Sequence, residues 1–158
     1  MSYVPITYSL LREKKCCYHE LLKFGEIVGL KKPMSLAKAF VNKFYYNFKV
    51  EWAAENLLTQ KDYKEYKKVK KAAFADFHKI KKVAWARHQR EMDPILTQYH
   101  ISKNLAKTNI QHHCNFNLYK EALDLSWASY VKVVDNAHRK CCKIVAQEFV
   151  NIYKKGMK

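Results

Sequence analysis

Residues 61–90, KDYKEYKKVKKAAFADFHKIKKVAWARHQR, contain no proline or glycine, and more than half of them are the helix-favouring Ala, Lys, Arg and Glu. Eleven are Lys or Arg, opposed only by Asp62, Glu65 and Asp76. Tyr63, Tyr66, Val69, Ala73, Phe77, Ile80 and Ala84 recur at three- and four-residue intervals, which places them on one face of a helix. Lys61, Lys64, Lys68, Lys71, Lys79 and Lys82 fall on the other side at the same spacing. A helix of this length extends about 45 Å at 1.5 Å per residue. The sequence therefore predicts a rod of positive charge backed by an aromatic stripe. The plain alternative is a solvated face. Solvated helices, however, alternate sign, because Glu–Lys pairs four apart stabilise and like charges destabilise. Here Lys64–Lys68, Lys67–Lys71 and Lys68–Lys71 repel, a cost that a bound polyanion would remove.

The chain has 158 residues, enough for one domain with a real core. A hydrophobic fraction of 49% excludes wholesale disorder, and three Gly with three Pro are too few for a β-rich or loop-rich protein. An all-α fold is expected. The net charge of +16 predicts a polyanionic partner, nucleic acid before an anionic membrane surface. Residues 1–60 carry nine basic against five acidic groups and residues 91–158 ten against six, so the charge belongs to the folded elements and not to a tail. The first thirty residues mix Arg, Lys and Glu with short apolar runs, unlike a signal peptide, and no apolar run reaches the length of a membrane span.

Pro5 biases Val4 towards extended backbone, so residues 1–6 read as an extended leader. Ser9 is placed to cap a helix over residues 10–24, which Gly25, Gly29 and Pro33 end. Ser35 reads as the cap of an aromatic-rich helix over 36–58, and Thr59 with Asp62 fits a capping box opening the basic helix. Asp93-Pro94 reads as a helix boundary, followed by a short helix over 95–101. Ser102 would cap the next helix, and a polar break at residues 115–117 would precede a last one from Leu118 towards Lys155. This gives five or six helices: an N-terminal helical arm over 1–60, then a helix bundle over 61–158 with a long basic central helix. A single domain over 1–158 is the alternative.

No glycine-rich phosphate loop, GxSxG or HExxH occurs, so no enzyme is expected. His112-His113-Cys114 and His138-x-x-Cys141-Cys142 are the nearest to a metal set, but consecutive residues lack the spacing by which two ligands reach one ion. Buried thiols and surface histidines are the plainer reading, with no metal and no cofactor. Five cysteines without a secretory context argue against a disulfide framework. A bond from Cys16 or Cys17 to Cys141 or Cys142 would nevertheless tie the first helix to the last. The phenylalanines at helical spacing read as core or subunit interface, with Phe40, Phe44, Phe48 and Trp52 assigned to contacts between copies. Lysine far outnumbers arginine and meets phosphate as a point charge, so backbone binding without base readout is expected. Lys61, Lys64, Lys68, Lys71, Lys79 and Lys82 would neutralise phosphates, with Lys38, Lys43, Lys49 and Arg87 assisting.

Residues 95–102, ILTQYHIS, resemble a segment of the major coat proteins of rod-shaped and filamentous archaeal viruses. In that family a Leu-Thr-Gln-Tyr-Gly-Ile-Thr run opens the helical bundle behind a DNA-wrapping arm. Here His100 stands in place of the Gly and Ser102 in place of the Thr, and the family's Pro- and Gly-containing surroundings are missing. No site residue carries over. The resemblance implies a basic all-α subunit of the virion, present in the host cytoplasm during assembly. It would pair with itself or with a related coat protein and polymerise as a helical filament on linear double-stranded DNA held in an A-like form. The rival expectations are a non-polymerising, chromatin-like DNA- or RNA-binding protein and a membrane-surface or protein-interaction helical module.

Overall fold

The computed structural model describes residues 3–157, apart from the side chains of residues 39, 40, 46 and 47. Among these residues all regular structure is helical: α1 (Tyr8–Glu13), α2 (Tyr18–Val28), α3 (Lys38–Asn47), α4 (Val50–Leu57), α5 (Gln60–Leu105) and α6 (Asn109–Gly156). The all-α expectation holds. Contacts divide the chain into a first unit, Met1–Ala75 with Arg139–Lys158, and a second, Asp76–His138.

In the first unit the chain enters extended, as Pro5 requires. The Tyr3 ring stacks on Tyr153 at 4.5 Å, and the Tyr153 hydroxyl donates to the Val4 carbonyl at 2.7 Å. The Tyr3 amide donates to the Gly156 carbonyl at 2.7 Å, and a Cβ at residue 156 would collide with the Tyr3 ring. Gly156 is thus needed for the close approach of Tyr3.

The helix expected over 10–24 is two helices. Thr7, not Ser9, caps α1, its hydroxyl accepting from the Leu10 amide at 3.2 Å. After Glu13 the backbone closes a Schellman motif: the Lys15 amide donates to the Arg12 carbonyl and the Cys16 amide to that of Leu11. Lys15 occupies the left-handed position usually held by glycine, at φ 59°. The turn lets Leu11 and Cys16 both enter the core.

The helix expected over 36–58 is also two. Phe48 is extended and stacks on Phe44 at 4.7 Å, and both rings pack edge-on to the fully buried Phe24 at 6.3 and 6.2 Å. The Lys49 amide, at the start of α4, donates to the buried Glu20 carboxylate at 2.9 Å. A side chain of α2 thus supplies the cap that α4 lacks locally, and a carboxylate at a helix N-terminus also meets the positive end of its dipole.

The Thr59–Asp62 capping box is present, with the Asp62 amide donating to the Thr59 hydroxyl at 3.3 Å. The Asp62 carboxylate accepts from the Thr59 hydroxyl at 2.8 Å and from Tyr3 at 2.5 Å. The Thr59 amide donates to the Tyr3 hydroxyl at 2.8 Å. Tyr3 therefore replaces the reciprocal arm of the box and ties the chain entry to the start of α5. Hydrogen bonds from Tyr3, then from Thr59, hold the Asp62 carboxyl below the usual carboxylate range.

The Asp93-Pro94 boundary and the polar break at 115–117 are both absent. α5 runs through Pro94, which deprives the Arg90 carbonyl of its in-helix donor, and the Thr97 hydroxyl adds a bond to the Asp93 carbonyl at 2.8 Å. Ser102 lies inside α5 and starts no new helix. The true break is at residues 106–108, where Thr108 caps α6 by accepting from the Gln111 amide at 3.2 Å and Gln111 reaches back to the Lys107 amide at 2.8 Å. Asn115 stays helical and donates to the Ser102 carbonyl at 3.2 Å.

In the second unit the two helices pair antiparallel. The contacts Phe77–His138, Trp85–Tyr130, His88–Ser126 and Tyr99–Tyr119 descend one helix as they climb the other. Only Ala84, His88, Met92 and Ser126 are buried there, and Trp85, Leu125, Trp127 and Val131 are exposed.

Candidate nucleic-acid interface

The first turns of α5 present their charge as the helical period requires. Tyr66 and Ala73 are buried, Tyr63 and Val69 are half-buried, and Lys61, Lys64, Lys68 and Lys71 are exposed on the opposite face. These four span about 15 Å of helix axis. None of them lies within 4 Å of a carboxylate among the described residues. Their inner neighbours are tied down. The Lys67 ammonium sits 5.1 Å from the Tyr63 ring centre, while Lys70 pairs with Glu51 and lies 5.8 Å from the Phe74 ring. Lys64, Lys67, Lys68, Lys70 and Lys71 line a groove of about 530 Å³ together with Glu51 and Phe74. A groove with five ammonium groups against one carboxylate suits a polyanion, and the tethered lysines lose less side-chain freedom when it binds.

The assisting residues divide. Lys38, Lys43 and Lys49 are exposed in the first unit. In the second, Lys82 is exposed without an ion pair among the described residues, Lys79 lies 3.5 Å from Asp76, and Arg87 is bonded to Glu91 at 2.7 Å. Arg87, expected to assist phosphate binding, is thus occupied within the protein. Charge follows the same division. The first unit holds 21 Lys or Arg against eight Asp or Glu, net +13, and the second nine against six, net +3.

Of the residues assigned to contacts between copies, the Phe40 side chain lies outside the described residues. Phe44 and Phe48 are 3% and 5% exposed and belong to the core of their own chain, so neither offers a free face to a neighbour. Trp52 is half-buried, edge-on to Phe48 at 6.4 Å.

No protein-family model matches the chain, and no curated protein or solved structure is significantly similar to it.

Two polar arrangements were invisible in the sequence. The first is Glu20, whose role as a cap is fixed by a partner 29 positions away. The second is a chain in the second unit from His88 through Ser126 to Glu91. The Ser126 hydroxyl donates to Glu91 at 3.1 Å, so it must accept from His88 Nδ1 at 2.8 Å, which places the proton on that nitrogen. The Arg87 bond, then that from Ser126, lowers the Glu91 pKa. Serine here donates to a carboxylate and accepts from histidine, the reverse of what activates a nucleophile.

No group of three or more His, Cys, Asp or Glu converges on a metal geometry among the described residues. Cys16, Cys17, Cys114 and Cys141 are free thiols, with Cys16 and Cys141 buried and Cys17 and Cys114 exposed. Burial, then the neighbouring Cys17 and Glu20, pushes the Cys16 thiol up to about 11, which keeps it protonated and unreactive. Among the described residues no helix is long and apolar enough to cross a membrane.

Proposed function

We propose that the chain is a structural nucleic-acid-packaging protein, a coat-type subunit that binds double-stranded DNA without sequence preference and self-assembles along it. The observation that carries this reading is the row Lys61, Lys64, Lys68 and Lys71, exposed and without ion pairs among the described residues, on a unit of net charge +13. Four like charges held this close are costly without a counter-charge and useful with one. Lysine without paired arginine, asparagine or glutamine on that face gives backbone contact and no base-edge code. The exposed Trp85, Leu125, Trp127 and Val131 of the nearly neutral second unit support self-association, because apolar side chains in that number are covered in stable assemblies.

Electron microscopy of the purified protein with linear double-stranded DNA at low salt tests the reading. Uniform filaments whose length follows the DNA are expected. Bare DNA, or discrete particles that never extend, would overturn the assembly part. A protein that binds anionic vesicles as tightly as DNA would overturn the nucleic-acid part.

A further inference from the structure

Beside the lysine groove the first unit holds a second one, of about 510 Å³, lined by Tyr45, Phe48, Trp52 and Tyr66 with Lys49 and Glu55 among its polar residues. The two share Glu51, Lys70 and Phe74, so they adjoin. Tyr66 is fully buried, and its hydroxyl has no hydrogen-bond partner among the described residues. A buried phenol left unpaired is costly, and Tyr66 is one of the residues that line this groove.

Two guests suit aromatic walls: a cation on the ring faces, or a flat aromatic ring. The charge decides between them. The groove lining itself is balanced, Lys49 and Lys70 against Glu51 and Glu55, but the unit around it is strongly positive and its own lysines already use ring faces, Lys143 over Tyr45 at 5.5 Å and Lys70 over Phe74 at 5.8 Å. A cationic guest is repelled, whereas a planar aromatic ring joined to an anion is attracted at both ends. Nucleotides combine these two parts in one molecule. Every base has a π-face for Trp52 or Tyr45 and an edge bearing acceptors and donors for a phenol and a carboxylate.

We propose that the Tyr45–Phe48–Trp52 groove takes up an unstacked nucleobase, with the phosphates of the same strand on Lys64, Lys67, Lys68 and Lys71. The inference rests on the polyanion reading and refines it. The face that neutralises phosphate also holds bases wherever they are unpaired, at strand ends or in single-stranded segments. Paired bases are shut out because their edges and faces are already used.

The test compares three fluorescent probes on the full-length protein: a short oligothymidylate, an abasic strand of equal length and charge, and a duplex. The base-containing strand is expected to bind about tenfold more tightly than the abasic one. Trp52→Ala should bring it down to the abasic level and leave duplex affinity unchanged. Because Trp52 is half-buried, a second measurement uses the unaltered protein: a strand carrying 5-iodouracil, irradiated and mapped by mass spectrometry, should crosslink at Tyr45 or Trp52. Equal affinity for base-containing and abasic strands, or crosslinks confined to other residues, overturns the base site and leaves the lysine row standing. Failure of all three probes to bind in a salt-dependent way overturns both readings at once.

Discussion

Among the described residues the first unit buries twenty-two apolar side chains and leaves six large ones exposed, while the second buries two and exposes thirteen. Their charges run the other way, +13 against +3. The contrast has a physical logic. A unit that crowds like charges on its surface loses stability to repulsion and needs a firm core to offset it. Phe24, Phe44 and Phe48, with Tyr3 on Tyr153, supply that core. A two-helix hairpin has only one seam in which to bury side chains, so its outer apolar residues stay in water until something covers them. Near neutrality lets a second copy approach at little electrostatic cost.

Truncation should separate the units most sharply. Phe24→Ala opens a cavity in a packed aromatic cluster and is expected to cost about 3–5 kcal/mol in chemical denaturation. Trp127→Glu, at a side chain 48% exposed, should change monomer stability by no more than about 0.5 kcal/mol while weakening self-association in sedimentation. Similar losses from both would break the contrast. Glu20→Ala comes next, at about 2–3 kcal/mol, because it leaves the Lys49 amide at the start of α4 without its acceptor.

Acid should weaken the first unit through Asp62. Its carboxyl is held below the usual range, so the folded state binds the proton less readily than the unfolded one. That stability is complete above about pH 4 and is lost as pH falls further. Tyr3→Phe removes the main cause, and should cost about 1 kcal/mol at neutral pH with a shallower acid limb in thermal melts. The smallest effect is expected at Lys15. Its left-handed backbone suits glycine, so Lys15→Gly should leave stability unchanged or raise it by about 0.5 kcal/mol, and a clear loss would mean that the Lys15 side chain has a role.

Much of the fold was legible in helical period and composition. The stripe through Tyr66, Ala73 and Ala84 is the buried side of α5, and the lysines lie opposite, although Ile80 on that stripe is 42% exposed. The missed boundaries share one cause: local signals were overridden by distant partners or by packing. Asp93-Pro94 reads as a start, yet a helix paired along its length tolerates one missing amide. Residues 13–17 and 48–49 carry no glycine or proline, yet the chain turns there to bury Leu11, Cys16 and Phe48. The Thr108–Gln111 box has the spacing of a helix start, and it takes the place of the cap expected at Ser102. Glu20 and the His88–Ser126–Glu91 chain could not be read, since nothing within a few residues marks their partners. The lysine row was legible because repulsion is a local property, but the pairing of Arg87 with Glu91 was not weighed against it.

The most direct measurement of the central claim is duplex affinity against salt, by fluorescence anisotropy, for the unaltered protein and for the Lys64→Ala, Lys68→Ala, Lys71→Ala triple variant. Four lysines on phosphates predict that log affinity falls with log salt at a slope of about −4 or steeper, and that the variant is shallower by about 3. A slope near zero, or an unchanged slope in the variant, would contradict the account.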